Sequence, residues 1–330
     1  MKKFALWLAV CVLILFLFVG CVKKTTAPKA GSATSEDMLR LFPEDTNATF
    51  FVDFHRAMNL EAIEKAIKEH ENYQKYQEFI EKSGVDPQKD IYFICGAFLG
   101  DITKEEKNGA AIINLKYDKD QLLSLIKENV EKEEEPQESL FTIEEYVGFS
   151  IYSIGENEHE GSFSFLNDSN IVLGTSGGIK SVIDVLNNNK KDLFANEALA
   201  SLLKNTNKEA IFWGAGILPQ GVMDNISSKN PMLSNLSSIS AGSIYFDYKN
   251  NNIIGEINLF TEDDTKNQQL ADFITGIKAM GSMAAAEKPE ISQLIDKIEI
   301  SAGADYVKIF ASIPEELTIN LKEALKKEEK

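Results

Sequence analysis

Residues that usually build catalytic and metal sites are scarce in this chain. Its 330 residues include only three cysteines and three histidines. The sequence contains no phosphate-binding loop motif, no dinucleotide-binding glycine motif after a strand, no EF-hand loop and no pair of closely spaced cysteines. We therefore expect no cofactor and no metal, and nothing in the motifs identifies an enzyme.

The three cysteines cannot supply a disulfide framework. Cys11 and Cys21 lie near the amino terminus, and Cys95 lies in the apolar, strand-like run Ile91–Phe98. If Cys11 is removed with a signal peptide and Cys21 is modified, Cys95 remains as a single thiol. The fold must then depend on its own core, and Cys95 is predicted to be a buried structural residue rather than a nucleophile.

Positive charge is also limited. The chain has 34 basic and 51 acidic residues, a net charge of −17, and loss of Lys2 and Lys3 with a signal peptide would take it to −19. Nucleic-acid binding requires a Lys/Arg surface that faces the phosphates, so this composition argues against a nucleic-acid partner. The acidic surface is explained by solubility.

The amino terminus has the pattern of a secretory signal. Lys2 and Lys3 are followed by Phe4–Gly20, which contain no charged residue. An uncleaved transmembrane anchor is the alternative, because seventeen apolar residues are at the lower end of what spans a bilayer. A small residue directly before Cys21 favours processing at this point.

The run Leu17-Phe18-Val19-Gly20-Cys21 resembles the lipobox of bacterial lipoproteins, with Phe18 where that family most often has Leu. The resemblance implies a diacylglycerylated and palmitoylated Cys21 at the start of the mature protein. It implies a body in the cell envelope or periplasm, anchored to a membrane through lipid. Val22, rather than Asp, follows the cysteine, which favours the outer membrane if the cell has one. Two or three acyl chains, at about 0.8 kcal/mol per buried CH2, anchor a soluble domain stably.

Four segments are expected along the chain. Residues 1–20 form the signal peptide, and residues 21–36 form the lipidated cysteine and a flexible tether rich in Lys, Thr, Ala, Ser, Gly and Pro. Residues 37–190 and 191–330 form two similar halves. A fifteen-residue tether of this composition could reach about 50 Å when fully extended.

Each half alternates helical and extended patterns in the same order: strand, helix, two strands, helix, two strands. In the first half, a strand is predicted at Ala48–Phe54, with Phe50, Val52 and Phe54 on one face, and one long helix at about Ala57–Lys82. The other predicted strands lie near 91–99, 109–117, 140–146, 148–154, 162–167 and 170–175, and the other helices near 119–132 and 179–188. In the second half, strands are predicted near 210–216, 239–248, 253–261, 298–303 and 305–312, and helices after Pro219, near 265–284 and 290–298, and from Pro314. This order predicts an α+β fold with an internal repeat, in which mostly antiparallel sheets have helices packed on one face.

Local motifs in the body resemble an uncharacterised class of bacterial envelope proteins. They are Phe42-Pro43-Glu44-Asp45-Thr46, the segment Gly84–Ile91 with its Gly-x-Asp-Pro-x-x-Asp pattern, and Leu173–Gly177 before a helix. The class has no known activity, so the resemblance implies an envelope location and no catalytic residue.

Three short patterns are weighed as catalytic sites. Gly174–Gly178 fits the G-x-S-x-G nucleophile motif, but the histidines, at 55, 70 and 159, all precede Ser176, opposite to the order of that family. A tight turn, with Ser176 helping to cap the next helix, explains the same residues. The patterns Ser124–Lys127 and Ser201–Lys204 fit S-x-x-K, but each lies inside a predicted helix without its companion motifs.

Metal binding is weighed at one loop. Glu156–Gly161 gathers three carboxylates and His159, yet alternating acidic residues in a turn usually face water. His70 lies on the apolar stripe of its predicted helix and is expected to be a half-buried core residue. We therefore predict no metal ligand.

The favoured hypothesis is a membrane-anchored, non-enzymatic binding or scaffold protein of the cell envelope, whose partner is an envelope protein, a peptide or an apolar ligand. Two alternatives stay open. One is an envelope hydrolase with an unrecognised carboxylate site, and the other is a carrier of lipid or another apolar ligand. A large apolar cavity would favour the carrier, and an exposed apolar patch on a solid core would favour docking.

Overall fold

A computed structural model describes residues 27–100, 108–131, 141–155, 161–219, 236–261 and 263–328. The predicted signal peptide 1–20 and Cys21 lie outside these ranges. The chain divides into two compact units, residues 1–200 (unit 1) and 201–330 (unit 2). Both contain antiparallel strands and helices, so the predicted α+β class is confirmed.

Unit 1 contains the first seven described strands and most of the described helices. The strands are β1 (Thr46–Asp53), β2 (Ile91–Leu99), β3 (Asn108–Leu115), β4 (Phe141–Tyr146), β5 (Phe149–Ile154), β6 (Gly161–Asn167) and β7 (Asn170–Gly174). The helices are α1 (Ser35–Leu39), α2 (Phe54–Met58), α3 (Glu61–Glu69), α4 (Tyr73–Ser83), α5 (Pro87–Asp90), α6 (Lys119–Glu131), α7 (Ser176–Leu186) and α8 (Glu197–Lys204), the last of which crosses into unit 2. A 3-10 turn lies at Leu193–Ala195.

Unit 2 contains the remaining strands and helices. The strands are β8 (Phe212–Ile217), β9 (Ile239–Lys249), β10 (Asn252–Thr261), β11 (Ile298–Ala302) and β12 (Val307–Pro314). The helices are α9 (Asn267–Ala284), α10 (Pro289–Asp296) and α11 (Glu315–Glu328). The helix predicted after Pro219 falls in 220–235, outside the described residues.

The strand orders of the two units correspond. Strands in unit 1 lie in the order β1-β2-β3-β7-β6-β5-β4, and those in unit 2 in the order β8-β9-β10-β12-β11. All these neighbours pair antiparallel. The order β8-β9-β10-β12-β11 therefore matches β1-β2-β3-β7-β6, with β4 and β5 as an extra hairpin in unit 1. This correspondence supports the predicted duplication.

Local sequence explains several element ends. Thr34 and Asp37 form a capping box at the start of α1, and Gly84 ends α4 with a left-handed backbone (φ 69°). Asn250 and Asn251, both with positive φ, join β9 to β10 through the pair Lys249↔Asn252. Asparagine tolerates this conformation better than most residues, so the sequence favours a two-residue hairpin here.

The cores lie between sheet and helices. In unit 1, Leu122 and Ile126 of α6 pack on the sheet face that carries Ile113, Phe163 and Leu173, while α7 covers the opposite face, where its Lys180 pairs with Glu144. In unit 2, Leu270 and Ala271 of α9 pack with Ile239 and Val307. In unit 2, α9 packs on one face of the sheet, as predicted. In unit 1, α6 packs on one face and α7 on the other.

Two predictions for the start of unit 1 are wrong. The single helix at Ala57–Lys82 is three helices, α2, α3 and α4, because Leu60 and His70 have extended backbone angles (ψ 131° and 139°). The first strand ends at Asp53, so Phe54 belongs to α2 and does not share the strand face of Phe50 and Val52; the buried face of the strand carries Thr49 and Phe51.

Residues 27–36, the second part of the predicted tether, do not form a free linker. Residues 27–36 are described, and they lie against unit 1: Asn167 donates to the carbonyl oxygen of Ala27, and α1 begins at Ser35. Several of their contacts come from backbone groups, and Ala33 is buried; composition alone could not indicate this packing.

Candidate functional site

The structure describes Cys95 but not Cys21. Cys21 lies outside the described residues, so its predicted lipidation stays a prediction. Cys95 is fully buried in β2, and its Sγ lies 3.8 Å from the carbonyl oxygen of Ile112. Burial raises the pKa of this thiol far above its ordinary value, so Cys95 is protonated and shielded from reagents.

The Gly174–Gly178 turn has a structural explanation. Thr175 is the amino-terminal cap of α7: the N–H of Gly178 donates to Thr175 Oγ1 at 3.1 Å, and this hydroxyl donates to Asn108 Oδ1 at 3.0 Å. Ser176 is the first residue of the helix and does not cap it, which corrects the prediction. Among the hydrogen bonds of the described residues, none joins Ser176 to a histidine.

The S-x-x-K patterns lie on helices, as predicted. Ser124 donates to the carbonyl oxygen of Asp120 one turn earlier in α6, an ordinary contact for a serine within a helix. Ser201 and Lys204 belong to α8. Neither pair is assembled with other catalytic groups in the part of the chain that the structure describes.

The metal candidates separate into two cases. Residues 156–160 of the acidic loop, including His159, lie outside the described ranges. In the described residues, no three His, Cys, Asp or Glu side chains come close enough to hold a metal ion. His70 is exposed at the end of α3, where its Nδ1 accepts from the N–H of Asn72 at 3.1 Å, so the prediction of a half-buried core histidine is wrong.

One half-open cavity of about 380 Å³ lies in unit 1, lined by Pro28, Asp37, Arg40, Leu41, Val185 and Leu186. Its charged groups already have partners. Arg40 pairs with Glu36 and Asp192, both at 2.8 Å, and Asp37 accepts from Thr34 Oγ1 at 2.7 Å. The cavity therefore offers no free charge for an anion, and its remaining lining, Pro28, Leu41, Val185 and Leu186, is apolar.

Carboxylates share one sheet face in unit 2, the arrangement that a hydrolase of the carboxylate type would need. Asp247 is buried and pairs with Lys249 at 2.9 Å, and Glu256 pairs with Lys308 at 3.0 Å. Tyr245, opposite Glu256, has a raised pKa, first because of burial and then because of the charge of Glu256. Since each carboxylate is neutralised by its own lysine, the face is a structural polar network rather than an acid–base pair.

The outer face of α9 carries exposed apolar side chains. We define the docking stripe as Phe273, Ile277, Met280 and Met283, which recur every three or four residues and so share one side of the helix. Ile277 is 40% exposed, Met280 52% and Met283 78%, and Phe273 is half-buried at the end nearest the core. A helix on a protein surface normally turns polar residues to water, so this stripe is an apolar surface that the described residues leave exposed.

The inner face of the same helix makes the core contacts. Leu270 and Ala271 are buried, and Ile274 packs against them. The sequence pattern predicts that Leu270, Phe273, Ile274 and Ile277 form one apolar stripe that packs on the core. In the structure, Leu270 is buried but Ile277 is exposed. The sequence does contain a signal for the exposed side chains. The apolar residues of α9 continue to Met283 and cover a wider arc of the helix than one buried face requires.

Few charges accompany the docking stripe. Asp272 accepts from Gln268 at 2.7 Å one turn away, and Glu287 is exposed beyond the carboxyl end of the helix. Lys278 Nζ donates to the carbonyl oxygen of Ile298 at 2.6 Å, so this ammonium group is bound within unit 2. Exposed Lys288 follows Glu287, so Asp272 is the charge on the helix that lies free of a basic neighbour in sequence.

Comparison with known proteins gives weak structural similarity only. No family model matches the chain, and no curated protein sequence matches it. Among solved structures, crystal form III of TP0453 is 14% identical, covers 87% of this chain and 97% of that chain, and has a TM-score of 0.45. Crystal forms I and IV of the same protein are 13% and 14% identical, cover 87% and 86% of this chain and 96% and 95% of those chains, and have TM-scores of 0.41. At these values no residue role is transferred to this chain.

Proposed function

We propose that this protein is a lipid-anchored lipoprotein of the bacterial cell envelope whose body is a non-enzymatic docking module. The observation that supports docking is the exposed apolar stripe on α9, with Met283 78% exposed beside a helix face that already completes the core. The anchor rests on the sequence, with lipid on Cys21 and the body outside the cytoplasm. No helix among the described residues has the length and apolar character to cross a membrane.

The partner we propose is another envelope protein that presents an apolar surface with positive or neutral edges. Met residues suit such an interface, because their flexible thioether side chains adapt to different partner surfaces. Asp272, which is exposed on the same helix as the stripe, has complementary chemistry to a partner carrying Lys or Arg beside its apolar centre.

A bilayer surface fits the docking stripe less well. Helices that lie in a membrane interface typically carry many Lys or Arg residues on their polar face. The polar residues of α9 between Asn267 and Ser282 include a single lysine, Lys278, and it is held by Ile298. The cavity of unit 1 does not by itself support a carrier of apolar ligands, since the paired side chains of Asp37 and Arg40 form part of its wall.

The anchor is tested by metabolic labelling with radiolabelled palmitate. We expect label in the wild-type protein and none in Cys21→Ser, with the wild type recovered in the membrane fraction. Equal labelling of both proteins, or none in the wild type, would overturn the lipid anchor.

Docking is tested by site-specific photo-crosslinking of the full-length protein in cells. A photoreactive residue at position 280 or 283 is expected to capture one defined partner, and Ile277→Gln is expected to reduce that yield at least fivefold. Ile63→Gln on α3 is the matched control, because Ile63 has the same residue type and the same exposure of 40%. Equal yields for the two variants, or crosslinks at position 283 to lipid alone, would contradict the proposal.

A further inference from the structure

The first described residues of the chain form a strap on unit 1. We define the strap as residues 27–32; it runs in extended or turn conformation before α1 and has no helix or strand of its own. Four of its backbone groups bond to asparagine side chains of the sheet. Asn167 Nδ2 donates to Ala27 O at 2.9 Å, Asn170 Nδ2 to Pro28 O at 2.6 Å and Asn114 Nδ2 to Lys29 O at 3.4 Å, while Asn114 Oδ1 accepts from the N–H of Gly31 at 2.9 Å.

The three asparagines are preorganised by one another. Asn114 and Asn170 are paired across β3 and β7 and are fully buried, and Asn114 Nδ2 donates to Asn170 Oδ1 at 2.9 Å. Asn170 Nδ2 also donates to Asn167 Oδ1 at 2.9 Å, and that oxygen accepts from the N–H of Ser169 at 2.8 Å. The amide orientations are therefore fixed before any strap residue is considered.

Burial makes these hydrogen bonds consequential. A buried amide group that loses its partner carries the full desolvation penalty, whereas an exposed one can bond to water. Asn114 and Asn170 lie on the same sheet face as the buried apolar residues Ile112 and Val172. The strap supplies partners for these groups, so it completes the polar part of unit 1 rather than lying on it loosely.

Gly31 fixes the register of the strap. Its φ is +69°, a conformation that L side chains rarely adopt, and a Cβ at this position would lie 2.9 Å from Cε1 of Tyr92. No other residue type fits here without displacing either the strap or the Tyr92 ring. The asparagine side chains form hydrogen bonds with backbone groups, which every residue type has. Gly31 therefore determines which strap residues lie opposite the asparagines.

We propose that this asparagine cluster is a binding site for the end of the tether, and that it fixes the edge of unit 1 that faces the membrane. The inference rests on the proposed anchor at Cys21, which lies six residues before Ala27. Six extended residues span at most about 20 Å, compared with about 50 Å for a tether that ends at residue 36. The chain thus leaves unit 1 beside the β6–β7 turn, residues 167–170, and this turn is held within about 20 Å of the lipid.

Docking of the strap is tested without reference to the anchor, by limited trypsin digestion of the full-length protein in detergent. In the wild type we expect cleavage after Lys24 and protection of the bond between Lys29 and Ala30, with the new amino termini identified by mass spectrometry. Gly31→Ala is expected to accelerate cleavage after Lys29 about tenfold, which corresponds to ~1.4 kcal/mol of weakened docking. Gly100→Ala is the control, because Gly100 also has positive φ (65°) but a Cβ added there would meet open space.

The orientation is tested in proteoliposomes with acceptor-labelled lipid. A fluorophore on Asp168→Cys, in the exposed β6–β7 turn, is expected to show strong energy transfer that falls at least twofold when Gly31→Ala is added. Transfer that is weak from the start, or unchanged by Gly31→Ala, would overturn the proposed orientation. Equal trypsin cleavage after Lys24 and Lys29 in the wild type would overturn strap docking itself. Failure of the anchor is seen separately, as absence of palmitate on Cys21.

Discussion

Gly178, near the start of α7, lies directly against the carbonyl oxygen of Gly109 in β3. A Cβ at position 178 would overlap this oxygen and approach the carbonyl carbon to 2.8 Å. Both atoms belong to the backbone of a paired strand, so neither can move easily. The glycines around Ser176 are thus explained by close packing of helix on strand.

Substitution of Gly178 by alanine should therefore destabilise the protein. We expect Gly178→Ala to lower the free energy of unfolding by about 1–3 kcal/mol, since overpacking forces the backbone to shift. Gly276→Ala in α9 should have the opposite sign, a gain of up to about 1 kcal/mol, because its Cβ meets open space and alanine favours helix. Urea denaturation followed by circular dichroism measures both, and equal midpoints for the two variants would contradict the packing argument.

Thr175 and Ser176 should respond differently to alanine. Thr175→Ala removes the side-chain cap of α7 and is expected to cost about 1 kcal/mol of stability, whereas Ser176→Ala should change it by less than about 0.5 kcal/mol. The same denaturation experiment compares them. A fluorophosphonate probe should leave the wild type unlabelled; labelling that is lost in Ser176→Ala would revive the nucleophile hypothesis.

The buried thiol of Cys95 should make stability fall at alkaline pH. Its pKa is raised in the folded state by burial, so the unfolded chain ionises first, and the contribution of the protonated thiol is lost as pH rises above about 9. Each further pH unit costs up to about 1.4 kcal/mol from this group. We expect the stability difference between wild type and Cys95→Ala to shift against the wild type between pH 8 and 10. A constant difference would show that folding does not raise the pKa of this thiol.

The two sides of α9 should differ in their importance for folding. Leu270→Ala is expected to cost about 2–5 kcal/mol, because Leu270 is fully packed in the core of unit 2. Ile277→Gln and Met283→Gln should each change stability by less than about 0.5 kcal/mol. Thermal melting of the three variants measures this, and a large loss for Met283→Gln would mean that the docking stripe is covered within the protein.

Much of the fold follows from local patterns. The alternation of apolar residues predicts the hairpin strands β9 and β10 to within a residue or two, and the Asn250-Asn251 turn provides their connection. Strand order could not be derived in this way. The pairing of β3 with β7 joins residues about sixty positions apart, and hydrophobic period does not specify a partner strand.

Errors arise where tertiary contacts override local preference. Asn59 ends α2 early because its side chain donates both to His55 O and to Gln88 O, the second of which is remote in sequence. The division of α9 into a buried and an exposed side has the same origin. Periodicity shows that Ile277 belongs to the apolar side of the helix. Only the position of the sheet determines that the buried part of this side does not include Ile277.

The strap also has a practical consequence for producing the body without its lipid. Residues 27–32 look dispensable by composition, and a shortened chain would naturally begin near residue 37. Such a protein would leave the amides of Asn114 and Asn170 without their backbone partners at the surface of the sheet. A water-soluble form intended for crystallisation or binding assays should therefore begin no later than Ala27.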